Sequence, residues 1–390
     1  MAGPLTGIRV LDLSRILAGP WSTQCLADLG AEVIKIERPN EGDDTRTWGP
    51  PFFGEGDEAL AAYYMSANRG KQSVAVDMAS PEGQSIIKKL AAKSDIVVEN
   101  FKVGGLKKYG LDYESLKALN VGLIYCSITG FGQTGPYKDR PGYDLMIQGL
   151  GGLMSVTGEA DDKPGGGPQR AGVAVVDLFT GLYSTIGILG ALHHREKTGE
   201  GQHIDMALLD TQVAVLANQS LSYLVSGTAP KRQGNSHPAI VPYQSFETKD
   251  GHMILAVGND GQFKRFCDAA GLPGIAADAR FSTNPGRVAN RGDLVPVLAG
   301  VIAGRTTDEW VTMLEKVNVP CGPINTLDRV FDNEQVKARG IQLAHKDSLG
   351  RTLPGVANPI RYSATPIEYK KAPPMLGEDT DAVLSALLAE

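Results

Sequence analysis

The chain has 390 residues, 42% of them hydrophobic and 21% charged, with a formal net charge of −6. That is the composition of a soluble globular protein with enough apolar material for more than one core. The acidic balance, with no lysine- or arginine-rich block, argues against nucleic acid or an anionic membrane surface as partner.

Taken in chain order, 8–13 reads as a strand, 22–29 as a helix closed by Gly30, and 32–36 as the next strand. Residues 74–76 suggest another. Ser80 as N-cap and Pro81 in the first turn then open a helix that runs to Lys93. Residues 95–99 and 123–128 are further strands, the latter leading into the glycine-rich stretch TGFGQTGP at 129–136. This alternation predicts βαβ units and an α/β fold, a doubly wound, Rossmann-like parallel sheet spanning a large domain over 1–200. Ligands of such sheets gather beyond the carboxyl ends of the strands. Residues 201–224 read as a helical linker. From about 225 the pattern changes to a hairpin, 243–248 and 252–257 about an Asp-Gly turn, followed by helices at 262–270 and 307–317. Thr306 and Glu309 form a capping-box pattern before the second of these. A smaller α+β domain over 225–329 is expected, with a last helix at 380–388.

Cys25, Cys126, Cys267 and Cys321 are scattered without a CxxC pair, which fits a reducing, cytoplasmic setting and gives no metal ribbon. The start MAGPLTGIRVLDLS lacks a basic region followed by a long apolar one, so a secretory signal is not expected. There is no GxxxxGK[ST] loop, no GxGxxG between the first strand and helix, and no GxSxG elbow. His193 and His194 are adjacent and point apart on a helix, so they read as a solvated helix end.

The stretch GVAVV at 172–176 reads as a buried strand that ends on Asp177. A carboxylate there would sit where sheet ligands collect, among apolar neighbours that raise its pKa and strengthen it as a nucleophile. The alternative is an N-cap for a helix beginning at Leu178.

These residues belong to a wider pattern. PLTGIRVLDL at 4–13, AGP at 18–20, LGAEVIKIERP at 29–39, NRGK at 68–71, VENF at 98–101, TGFGQTGP at 129–136, DLFTG at 177–181, KTGEGQ at 197–202 and VPCGPI at 319–324 follow one another in order. In this the chain resembles the class III CoA-transferases, the family of formyl-CoA, carnitine-CoA and succinyl-CoA:dicarboxylate transferases, which also holds the α-methylacyl-CoA racemases. The resemblance implies that Asp177 is the catalytic carboxylate. It puts Arg38 and Lys71 on the CoA nucleotide and its phosphates, Asn100 and Phe101 beside the adenosine end, and Lys108 on a further phosphate. Ile16, Leu17 and Ala18 would face the thioester, and Tyr143 would be a further CoA contact. It also implies an interlocked homodimer whose large domain is completed by 330–390. The CoA thioester is then a substrate, with no permanently bound cofactor and no metal.

Two segments narrow the branch. Tyr143, in the Gly-Tyr-Asp run 142–144, stands where the racemase branch carries a histidine, and a tyrosine is a poor base toward carbon at neutral pH. GDDTRTWGPPF at 42–52 and GNSHPAIVPYQ at 234–244 resemble the succinyl-CoA:dicarboxylate branch, including its glutarate-using members. A racemase-like enzyme and a formyl-CoA:oxalate-type transferase are the alternatives. A dicarboxylate needs a cation for its distal end, for which Arg15 and Arg46 are candidates and His237 a third.

Overall fold

The computed structural model describes residues 3–389, which form two compact units. The first is built from 3–153, 171–227 and 334–389, and the second from 154–170 and 228–333.

At the centre of the first unit is a six-stranded sheet. Its strands are β1 (Arg9–Asp12), β2 (Glu32–Glu37), β3 (Lys71–Ala75), β4 (Ile96–Glu99), β5 (Ile124–Thr129) and β6 (His203–Ala207), in the order β3-β2-β1-β4-β5-β6. Every pairing is parallel. Successive side chains alternate between the two faces. Val10, Val33, Val98, Cys126 and Ile128 point to one face, and Leu11, Ile34, Val97 and Tyr125 to the other. Helices α1 (Ala18–Asp28) and, later in the chain, Val175–Thr198 cover the first face. Helix α2 (Pro81–Ala92), N-capped by Ser80, covers the second through Ile87 and Leu90. Each fully buried aliphatic side chain contributes about 1.5–3 kcal/mol.

Two sequence expectations change here. Residues 203–207, read as the start of a helical linker, are the sixth strand, paired with β5 from Tyr125↔His203 to Thr129↔Ala207. And 172–176 is not a strand. Asp177 lies in the first turn of a 24-residue helix, Val175–Thr198. The Val-Val pair imitates a buried strand, because a short apolar run does not separate strand from helix by its period. That helix is long and apolar enough to cross a membrane by length and composition, yet one side of it is packed against α1. Gly181 makes the close approach possible: a Cβ there would come within 2.6 Å of the Ala18 carbonyl oxygen.

The chain's end returns to this unit. The Asp379 carboxylate accepts from the Ser73 amide at 2.9 Å, and Thr380 Oγ1 from the Ala75 amide at 3.0 Å, both on β3.

A charged network lies buried beneath the strand ends. Lys71, at the start of β3, has no exposed side-chain surface; its Nζ donates to Asp12 Oδ2 (3.1 Å), the Pro20 carbonyl (3.0 Å) and Asn68 Oδ1 (2.9 Å). Burial pulls its ammonium down to about 8 despite Asp12. Lys35, on β2, pairs with Asp43 at 2.9 Å, both side chains fully buried, and donates to the Ser14 carbonyl at 2.8 Å.

In the second unit, Tyr243–Thr248 and Gly251–Ala256 form the expected hairpin, and Cys321–Pro323 adds a third antiparallel strand. Its core gathers Phe263, Phe266, Leu298 and Trp310, whose indole N–H donates to the Ile302 carbonyl at 2.8 Å. The Thr306–Glu309 capping box is present.

Replacing Lys71 with Ala removes the ion-pair partner of the buried Asp12 carboxylate and leaves it the hydrogen bonds of Ser14 and Thr23. Breaking one partner out of a buried pair costs about 3–5 kcal/mol, which urea denaturation at pH 7 should register as a lower midpoint. Unchanged stability would show that the network is dispensable.

Candidate active site

The strand order reverses beside β1, so the loops leaving β1 and β4 diverge and open a crevice at the sheet's carboxyl edge. The two loops are tied together by one side chain. Asn100 Oδ1 accepts from the Arg15 amide (2.9 Å) and its Nδ2 donates to the Arg15 carbonyl (2.7 Å). Between them lies a cavity of about 640 Å³, a usual size for a small-molecule site. A second cavity of about 240 Å³ shares Arg15, Phe101 and Tyr109 with it and reaches Arg38.

The β1 loop is held in a demanding conformation. Ile16 has φ +73°, the left-handed region that a β-branched residue rarely enters. Such a residue costs about 1–3 kcal/mol and persists only where its surroundings enforce it. Here its amide lies 3.2 Å from each oxygen of Asp43. Burial would raise the Asp43 carboxyl, but Lys35 and the Thr45 amide hold it down to about 2, so it remains an ionised acceptor.

Asp177 opens onto the same cavity. Burial, and then the charge of Asp144, pushes its carboxyl up to about 7. Asp144 reaches the start of this helix because the loop before it is pressed against the end of β5. A Cβ on Gly142 would come within 2.3 Å of the Gly130 Cα. Tyr63 is close enough to feel both carboxylates; burial first, then Asp177, lifts its phenol to about 12, so it remains a donor.

Of the residues singled out in the sequence, Arg15, Ile16, Leu17, Ala18, Asn100, Phe101, Lys108, Tyr143 and Asp177 line this one cavity. Arg38 lies in the adjoining one. Asn100, however, spends its amide on the backbone of Arg15. Lys71 is a correction: its ammonium is buried among three oxygens and faces no phosphate. Arg46 is another. Its guanidinium forks onto Glu37 at 2.8 and 2.7 Å, donates to the Tyr64 hydroxyl, and lies 3.9 Å over the Tyr64 ring. It is a structural ion pair. His237 belongs to the second unit, where its Nδ1 accepts from the Ala239 amide.

The sequence reading missed Lys102, Lys138 and Arg140, which line the cavity as well. Lys102 directly follows the VENF run, and the other two follow the TGFGQTGP loop, so their position beside recognised motifs was the available signal. With Arg15 and Lys108 they ring the cavity with cations, against the acids Asp139 and Asp177. Such a wall suits a polyanion, and the carboxylate on its floor can serve as a nucleophile toward an acyl group.

The raised carboxyl of Asp177 has a thermodynamic sign. From its ordinary value of 3.8 it moves to about 7. Well below pH 3.8 it is neutral in both folded and unfolded chains and costs nothing. As pH rises the unfolded chain ionises first, and the cost is complete above about pH 7. Asp177→Asn should therefore melt on the order of 2–4 °C above the wild type at pH 8, with the two converging toward pH 4. An equal or lower melting temperature at pH 8 would contradict the desolvated carboxylate.

A family model described as CoA-transferase family III matches residues 5–380. The chain is similar to the succinate–glutarate CoA-transferase of Agrobacterium fabrum, 52% identical over 386 residues that cover 98% of this chain and 96% of that one. It is also similar to the succinyl-CoA:glutarate CoA-transferase of Homo sapiens, 44% identical over 387 residues, 99% of this chain and 86% of the other. Among solved structures it is similar to a CaiB/BaiF family protein from Brucella suis, with a TM-score of 0.89 and 52% identity over 99% of this chain and 100% of that one.

Proposed function

Since the chain belongs to CoA-transferase family III and is a CoA-transferase, we propose that it moves CoA from succinyl-CoA to a small dicarboxylate, with glutarate the acceptor that its relatives' names favour. The observation that carries this reading is Asp177, a desolvated carboxylate at the floor of a cavity walled by cations.

In this reading an oxygen of Asp177 attacks the succinyl thioester carbonyl, and CoA leaves as thiolate, giving a succinyl–aspartyl anhydride. The thiolate attacks the aspartyl carbonyl and expels succinate, leaving an aspartyl–CoA thioester. A carboxylate of the acceptor attacks that carbonyl and displaces the thiolate again. The thiolate then takes the acceptor's acyl carbonyl, which releases the new thioester and restores Asp177. Each step exchanges one activated acyl bond for another, so the thioester energy is conserved. The doubly wound large unit is the CoA-binding one. Lys102, Lys108, Lys138 and Arg140 meet the phosphates, with Arg38 in the adjoining cavity, while the Ile16–Ala18 backbone faces the thioester.

For the acceptor's distal carboxylate, Arg46 is spent on Glu37, and of the two arginines singled out in the sequence it is Arg15 that lines this cavity and serves as the anchor. Arg15 pairs with Asp44 at 2.6 Å and is about a third exposed, so it can exchange that partner for a substrate. A charge-assisted contact of this kind is worth roughly 1.5–3 kcal/mol. Assayed with succinyl-CoA and a panel of acids, the wild type should prefer glutarate to a monocarboxylate of equal length by about ten- to a hundredfold in kcat/KM. Arg15→Ala should lose that preference and keep the monocarboxylate rate, and Asp177→Ala should transfer to neither. Full turnover by a folded Asp177→Ala enzyme would end the mechanism; an intact preference in Arg15→Ala would remove Arg15 from it.

The helix that carries Asp177 supports the homodimer implied by the family. Phe179, Leu182, Tyr183, Ile186 and Leu189 are exposed, Ile186 by 62%, at the three- and four-residue spacing of a single face. A second copy of the chain is the occupant proposed for this stripe, the two chains interlocking as links, since the first unit draws on both ends of the sequence. Sedimentation at micromolar concentration should give a dimer, and a stable monomer would exclude it.

A further inference from the structure

Helix Val175–Thr198 begins without a cap of its own: Ala174 at the N-cap has no side chain to accept from the free amides. A carboxylate in the first turn of such a helix is ordinarily stabilised by those amides and made less basic. Here another residue has taken them. Asp144, at the head of the helix Asp144–Leu150, accepts from the Val176 amide at 2.8 Å and the Asp177 amide at 3.3 Å through one oxygen. Its other oxygen accepts from Gln148 Nε2 at 2.6 Å, and Gln148, fully buried, uses its own Oε1 to accept from the Ala171 amide at 2.9 Å. Asp144 is therefore held from one side while it holds the helix start on the other.

We propose that Asp144 is a positioning residue that sets the reactivity of Asp177: it fixes the backbone from which Asp177 projects, withholds from it the amide hydrogens that would stabilise its charge, and holds a second negative charge beside it. The proposal rests on the reading of Asp177 as nucleophile.

Two effects act in the same direction. The amides of Val176 and Asp177 are bonded to a carboxylate already, so they offer Asp177 little. The negative charge of Asp144 also opposes that of Asp177, second to burial among the causes that raise it. The other groups around Asp177 are Tyr63 from the helix Ala62–Ala67, Tyr143 beside Asp144, and on the cavity walls Asp139 with the cations Arg15, Lys102, Lys108, Lys138 and Arg140. A bound polyanion would occupy the cations, whereas Asp144 is engaged with the amides of the helix start.

The test is the pH dependence of kcat/KM for succinyl-CoA, measured on the full-length wild type, Asp144→Asn and Gln148→Ala, with Asp177→Ala alongside. The wild type should gain activity through an acid limb near pH 7. Asp144→Asn keeps an oxygen for the helix amides and loses the charge, so its limb should move down by about one pH unit or more, with a lower plateau, because a less basic carboxylate is a weaker nucleophile. Gln148→Ala, which loosens Asp144 without discharging it, should lower the rate and leave the limb near that of the wild type. An Asp144→Asn limb that stays at the wild-type position, at whatever rate, overturns the proposal, as does a wild-type limb in the ordinary carboxylate range. Substantial turnover by Asp177→Ala would instead show that the nucleophile itself is wrong. If Asp144→Asn does not fold, Asp144→Ser, which also keeps an acceptor and carries no charge, is judged by the same shift.

Discussion

The loop that builds this site depends on two lysines that never meet solvent. Lys71 neutralises Asp12 at the end of β1, and Lys35 neutralises Asp43, whose oxygens hold the strained amide of Ile16. Burying such charges is unfavourable unless every one is paired and hydrogen-bonded. Here Lys71 has three acceptors, and Asp43 has Lys35, Thr45 and the Ile16 amide. The gain is geometric. A backbone that would relax elsewhere is held at the point where β1 delivers it to the cavity, and Asn100 fastens the β4 loop to the same residues.

The charges that face the cavity follow a different logic. Cations ring its walls, yet what acts on the Asp177 carboxyl is burial and then the charge of Asp144, which raise it to about 7. A carboxylate paired tightly with an arginine would be a poor nucleophile. Glu37 shows that arrangement a short distance away: burial would raise it, but the fork from Arg46 and the charge of Lys35 hold it below its usual value. Glu37 is thus a fully paired structural carboxylate, whereas Asp177 is partly buried and, among the described residues, has no cation paired with it in this way.

Much of this was legible in the sequence, and the failures have identifiable causes. Strands β1, β2, β4 and β5 announce themselves as β-branched runs between helical patterns, and Ser80-Pro81 marks the start of α2. The edge strand His203–Ala207 has one β-branched residue and exposes His203 and Asp205, so it lacks that signature. Asp177 was found as a residue but misplaced by element, because Val175-Val176 looks like a strand end. Lys71 and Arg46 carry charge in the sequence, but only the fold reveals that their partners are internal. Asp144 was the hardest to see. Capping rules look for an acceptor beside the helix start, and this one arrives from 32 residues earlier in the chain.

The central claim is that Asp177 itself carries the activated acyl group between donor and acceptor. Incubating the enzyme with succinyl-CoA in the absence of acceptor, quenching with hydroxylamine and mapping the peptides by mass spectrometry tests it most directly. The account predicts a hydroxamate at Asp177, formed from the anhydride or the aspartyl–CoA thioester, that disappears when glutarate is added before the quench. An active enzyme labelled at another residue, or at none, would contradict it.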